Sequence, residues 1–132
     1  RVARRARRGA TAVEFALTAP IFFLFLLAAF EFGWMNVIRH TADNAAYEAA
    51  RTAMVPGATA AEAKAKANSL LGIVGTRSAT VTITPPTITP TTDKVTVKID
   101  VPMNQNGLIL PRFTGSKVLQ SSSTLRTERS GE

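Results

Sequence analysis

The 132-residue chain has no cysteine and only one histidine, one tryptophan and one tyrosine. Without cysteine there is no disulfide, no zinc–thiolate site and no thiol nucleophile, so any folded part must hold together by packing alone. His40, the single histidine, sits on a predicted helix just past an apolar segment and reads as a surface residue rather than a base. Serines 121 to 123 have no histidine or lysine beside them in a recognisable motif. Asp93 and Asp100 alternate onto the polar side of a strand and read as solvated. Neither a glycine-rich phosphate loop nor metal-ligand spacing occurs. These absences argue against an enzyme, and no cofactor or metal is expected.

Charge is absent where that absence is most informative. Residues 15 to 30, FALTAPIFFLFLLAAF, carry none, and continuing to Ile38 gives 24 residues interrupted only by Glu31. At ~1.5 Å per residue the longer stretch reaches ~36 Å, against ~30 Å for the hydrocarbon core of a bilayer. Backbone groups in lipid must bond within their own segment, so a single membrane-spanning helix is predicted.

Positive charge, by contrast, is concentrated. The chain carries 16 basic and 9 acidic residues, a net +7, and five arginines (Arg1, Arg4, Arg5, Arg7 and Arg8) lie in the first nine positions. Setting those five aside leaves 11 basic residues against 9 acidic ones, a near-neutral +2. A basic run that abuts an apolar helix and holds no aromatic residue fits the positive-inside rule better than a nucleic-acid contact. The N-terminus is therefore expected in the cytoplasm, with no nucleic-acid partner. The chain opens on Arg1 rather than methionine, so a few upstream residues are expected.

Between the basic run and the apolar helix stands Gly9, followed by Ala10-Thr11-Ala12-Val13-Glu14-Phe15. A basic leader, a small-residue junction, one acid five places after the glycine and then a lipid-soluble helix suggest a precursor cut after Gly9 on the cytoplasmic side. The new N-terminus, Ala10, would keep its anchor. A secretory signal would lose its apolar segment and needs small residues one and three places before the cut, which Ala28-Ala29-Phe30 supplies poorly. Arg7-Arg8-Gly9-Ala10 also continues poorly into a twin-arginine signal.

Two readings stand for Glu14. It is an acid in the first helical turn, which the helix dipole favours; or it pairs with the free ammonium of Ala10, one turn away, or with that of a neighbouring subunit, rewarding correct register. Pro20 removes one N–H and crowds the carbonyl of Ala16, predicting a kink or loosened turn, either tolerated or used to bend the segment during packing. Glu31, near the outer interface, reads as a solvated helix edge.

Residues 36 to 55 keep helical character, with Ala42, Ala45, Ala46, Ala49, Ala50 and Ala53 forming a ridge at spacings of three and four. Arg39, Asp43, Glu48 and Arg51 occupy mainly other faces, with a weak Glu48–Arg51 pair. Pro56-Gly57 ends this helix, predicted at roughly 40 residues and ~60 Å. Thr59-Ala60-Ala61-Glu62 reads as a capping box opening a second, alanine-rich helix over residues 60 to 71, with Gly72 placed to stop it. The period then changes to two. Ala79, Val81 and Ile83 mark one strand, and Val95, Val97, Ile99 and Val101 a second. A Pro/Thr-rich hairpin loop, solvated in this reading, joins them over residues 85 to 92. A short apolar excursion over residues 108 to 113 is expected to cover the core. A third strand over residues 118 to 126 alternates less clearly because of its three serines. The fold class is α+β: a long N-terminal membrane-spanning helix, a second Ala-rich helix and a small antiparallel sheet of about three strands, the helices covering its apolar face. The expected division is a basic leader (1–9), a transmembrane and extended helix (10–56) and a small extracytoplasmic α+β domain (57–132).

The run from Arg7 through Leu17, the proline inside the apolar stretch, and Glu31-Phe32-Gly33 together resemble the TadE-like family, as does Asn44-Ala45-Ala46-Tyr47-Glu48-Ala49-Ala50-Arg51. These are minor pilins, or pseudopilins, of the Tad/Flp pilus, a branch of type IV pili. The motif resemblance covers residues 7 to 51, and the exported part here is shorter than is usual in that family. The resemblance implies cleavage between Gly9 and Ala10 by a prepilin peptidase, with Glu14 as the fifth mature residue and Phe15 beside it in an assembly role. It implies the Tad secretion and assembly platform, its ATPase and other pilins as partners. Residence in the bacterial inner membrane, with possible incorporation into the surface pilus, is implied too, and so is a role in adhesion and biofilm formation. Two other classes remain: an uncleaved single-span anchor presenting a binding module, and an exported hydrolase dependent on His40 or serines 121 to 123.

Overall fold

The computed structural model describes residues 2–109 and 114–126, with side chains from residue 9 onward within those bounds. Helix α1 (Val2–Ala53) is followed by α2 (Ala60–Ile73), strands β1 (Thr80–Thr84) and β2 (Lys94–Pro102), a single 3-10 turn (Met103–Gln105) and β3 (Val118–Arg126). The α+β class, the second helix and the three-stranded antiparallel sheet agree with the sequence reading.

α1 is longer than the roughly 40 residues expected: its 52 residues correspond to ~78 Å. The extra turns are N-terminal. The leader consists mainly of arginine and alanine, both strong helix formers, and nothing before Gly9 interrupts the run. Pro20 lies inside α1, which continues past it.

α2 begins as its sequence predicts. The Glu62 N–H donates to Thr59 Oγ1 at 3.2 Å, and the Thr59 N–H donates to Glu62 Oε2 at 2.8 Å. Its end differs from expectation. The helix passes through Gly72 to Ile73, and the stop is Gly75, at φ +67°. The Gly75 N–H donates to the Gly72 carbonyl at 3.0 Å, and the Thr76 N–H to the Leu71 carbonyl at 3.2 Å. This is the paired 5→2 and 6→1 pattern of a Schellman motif, which needs its left-handed residue one place after the C-cap. Gly72 falls three residues too early for that role.

The sheet order is β1-β2-β3, and both pairs are antiparallel. Val81 faces Ile99 and Ile83 faces Val97; across the other seam Val95 faces Leu125, Val97 faces Ser123, Ile99 faces Ser121 and Val101 faces Leu119. All of these side chains lie on one face, with threonines, lysines and the remaining polar residues on the other. α1 lies across β2 and β3, with α2 beside it over β1. The alanine ridge of α1 (Ala42, Ala45, Ala46, Ala49, Ala50 and Ala53) is buried, as are Ala63, Ala67 and Leu71 of α2. Methyl side chains let the helices and sheet approach closely, and Ile38, Val95, Val97, Ile99, Val101 and Met103 fill the space between. Burying each of the larger side chains contributes roughly 1.5–3 kcal/mol. The domain's core therefore draws on α1 as much as on the sheet.

Three local readings change. Ser121 is buried on the helix-facing side, where its hydroxyl donates to Asp43 Oδ1 at 2.6 Å. The weak alternation of β3 thus marks a close helix–sheet approach with one polar tie. The 85–92 loop is not wholly solvated, since Ile88 packs against the core. Asp100 is half-buried and pairs with Lys98 at 3.3 Å. The Glu48–Arg51 pair forms at 3.9 Å and is largely exposed.

Candidate functional site

The predicted processing and assembly residues lie along the N-terminal part of α1. Gly9 and Ala10 are exposed on an unbroken helix, and a Cβ built on Gly9 would meet nothing within 4 Å. Glycine inside a helix costs about 1 kcal/mol relative to alanine. No contact among the described residues needs the missing side chain. Glu14 is exposed one turn beyond Ala10, and no side chain among the described residues pairs with its carboxylate. Phe15 is exposed beside it, and Pro20 is exposed further along. The backbone carbonyls of Glu14 and Phe15 both accept from the Thr18 hydroxyl, at 2.9 and 3.4 Å. The structure thus places Gly9, Ala10, Glu14 and Phe15 within two turns of one exposed helix. They do not converge on a cavity.

Val13, Leu17, Ile21, Phe22, Phe23, Leu24 and Phe25 are exposed too. Large apolar side chains on every face of a helix are the pattern of a segment solvated by lipid. Gly9–Ala53 has the length and composition to cross a membrane, and its apolar window is not buried within the fold.

Glu31 overturns the reading of a solvated helix edge. It is only 3% exposed. Its Oε2 accepts from the Leu108 N–H at 3.0 Å and from the Ile109 N–H at 2.9 Å, while Oε1 accepts from the Thr114 hydroxyl at 3.1 Å. The loop after the 3-10 turn is therefore wrapped around the carboxylate. One turn further on, the Trp34 indole N–H donates to the Asn106 carbonyl at 2.9 Å. The buried Asn106 side chain accepts from the Arg77 N–H at 2.7 Å and donates to the carbonyls of Arg77 and Pro102, at 2.8 and 2.7 Å. Glu31, Trp34 and Asn106 thus fasten the membrane-proximal end of the domain to α1.

A signal for this was present. Glu31, Met35, Ile38, Ala42, Ala45 and Ala49 continue one stripe at alternating spacings of four and three, so Glu31 shares the face of the alanine ridge. The expected apolar cover over residues 108 to 113 also changes. Leu108 and Ile109 are exposed, and their backbone N–H groups bond the helix through Glu31. Residues 110 to 113 of that excursion lie outside the described residues, as does Arg1 of the leader.

Catalytic alternatives gain nothing from the geometry. His40 is exposed, and Ser121 is bonded directly to Asp43. Among the described residues no group of three or more His, Cys, Asp or Glu side chains could hold a metal ion.

Compared with known proteins, the chain is similar to one family: the model for TadE-like protein matches residues 9–51. No curated protein and no solved structure matches. The matched stretch begins on Gly9 and ends two residues before the end of α1. It holds the exposed apolar helix, Glu31, Trp34 and most of the alanine ridge, and leaves α2 and all three strands outside.

Proposed function

We propose that the chain is a minor pilin, or pseudopilin, of a Tad/Flp-type adhesion pilus. In this reading a prepilin peptidase cuts it after Gly9, and residues from Ala10 onward anchor it in the inner membrane with the α+β domain outside. It acts in pilus assembly, in initiation or at the tip, for surface attachment and biofilm formation. The similarity over residues 9–51 supports a pilin-like protein associated with a Tad pilus, a structural rather than enzymatic kind of protein. The single apolar N-terminal helix supports membrane anchoring.

One observation carries the processing step. Gly9 is a helix-weakening residue with open space around it, at the boundary between the basic leader and the apolar helix. A glycine that no contact among the described residues calls for supports recognition from outside. After cleavage, the Ala10 ammonium lies one turn from Glu14, whose carboxylate has no side-chain partner among the described residues and would meet that group in its own chain or a neighbour's. The helix carries its large apolar side chains outward and ready for other helices. Its work is packing, with the assembly platform and other pilins as partners.

The mass of the mature N-terminus in membrane-extracted protein tests this. Molecules should begin at Ala10. Gly9→Phe should block maturation, and Glu14→Ala should allow cleavage but impair piliation. Recovery of the arginine leader on every molecule would refute the processing claim. That result would favour an uncleaved single-span anchor carrying a binding module, the reading to which the unbroken helix through Gly9 and Ala10 lends weight.

A further inference from the structure

We infer that Leu108 and Ile109, with Phe32 of α1, form a membrane-contacting lip that seats the domain in the outer interface of a phospholipid bilayer. This rests on the membrane-anchor reading given above.

Three observations lead to it. The first is position. The Leu108 and Ile109 N–H groups are bonded to Glu31, one residue past the end of the uncharged stretch, so the loop tip lies where the helix would leave the hydrocarbon. The second is exposure. Leu108 is 52% and Ile109 43% exposed, and Phe30 and Phe32 flank Glu31 as exposed side chains. Just below, Leu24, Phe25, Ala28 and Phe32 line an apolar groove of about 240 Å³ that ends at Glu31 and Thr114. The exposed apolar side chains of the helix and those of the loop tip therefore meet at the level of Glu31, to which the tip is bonded.

The third is hydrogen bonding. An apolar tip enters a membrane interface at low cost only when its backbone polar groups are already partnered. Here both tip N–H groups donate to the Glu31 carboxylate, and the nearby Trp34 indole donates to the Asn106 carbonyl. The acid that would otherwise mark the membrane boundary is turned inward and nearly inaccessible.

Length agrees. The 16 uncharged residues reach ~24 Å, short of the ~30 Å hydrocarbon core by ~6 Å. The apolar surface has to extend beyond residue 30 or before residue 15 to match the bilayer, or the bilayer has to thin. At the outer end, Phe32, Leu108 and Ile109 supply such an extension.

The absence of native cysteine makes the test clean. Single-cysteine variants of the full chain (Phe22→Cys, Leu108→Cys, Ile109→Cys and Thr89→Cys) would each carry one environment-sensitive fluorophore in phosphatidylcholine nanodiscs containing brominated acyl chains. Position 22 should be quenched most by bromine deep in the chains. Positions 108 and 109 should be quenched by bromine near the headgroups, and position 89, in the loop at the other end of the domain, should not be. Trp34, the single tryptophan, should lose emission to the shallow bromine in the unlabelled chain, which guards against perturbation by the label. If positions 108 and 109 behave like 89 while 22 is quenched, the lip is refuted and the anchor stands. If 22 is not quenched, the anchor reading fails and the lip with it. Quenching at 108 that disappears when each nanodisc holds one chain, replaced by label-to-label transfer when it holds two, would identify a second copy as the occupant and refute the lipid reading.

Discussion

The two halves of α1 share a backbone and an apolar character, yet their side chains meet opposite fates. Over residues 15 to 30 the helix carries phenylalanine, leucine and isoleucine on all sides, and nearly all are exposed. From Ile38 onward the apolar residues narrow mainly to one stripe dominated by alanine, and that stripe is buried. Bulk on every face cannot be covered by a small domain and calls for a solvent of its own. Methyl groups on one face call for a close neighbour. What separates lipid-facing from core-facing helix here is side-chain volume and its distribution round the axis, more than hydrophobicity.

Substitutions can break or sharpen this contrast, read as unfolding of the domain in detergent by Trp34 fluorescence. Glu31→Ala, at the junction of the two halves, should have the largest effect. It leaves the Leu108 and Ile109 N–H groups and the Thr114 hydroxyl without their acceptor, for a loss of about 3 kcal/mol; Glu31→Gln, which keeps an acceptor, should lose less. Amide exchange at Leu108 and Ile109 would locate the damage. Ala46→Leu should come next, at about 2 kcal/mol, because the ridge leaves no room for a larger side chain. Thr59→Ala removes the cap of α2 and should cost about 1 kcal/mol. Phe22→Leu in the exposed half should leave domain stability within about 0.5 kcal/mol of the original. An equal loss from Phe22→Leu and Ala46→Leu would erase the distinction between the halves.

Where the controlling physics is local, the sequence was enough to anticipate the structure. The Thr59–Glu62 box, the alanine ridge and the alternating valines of β2 each announce themselves within a few residues, and each forms as read. The α2 stop was harder, because Gly72 and Gly75 are equally plausible by composition and only the pattern of C-terminal hydrogen bonds separates them. Glu31 was hardest. Its burial depends on a loop 77 residues away, and no local rule reports that the loop's N–H groups lack partners of their own. The stripe from Glu31 through Ala49 nonetheless held the clue, hidden because an acid beside an apolar run invites a solvent reading. Gly9, Ala10, Glu14 and Phe15 are the opposite case. They stand out in the sequence because of their order, while no contact among the described residues makes use of their side chains.

The uninterrupted passage of α1 from exposed rod to domain core sets the compass heading of the whole outer part. No swivel lies between residues 21 and 53, so the bearing of the sheet is locked to whichever side of the rod its neighbours grip. Adding one residue between Phe30 and Glu31 would swing the domain by about 100° and lift it by about 1.5 Å. An assembly built from such subunits would therefore present its outer surface according to contacts made deep below it.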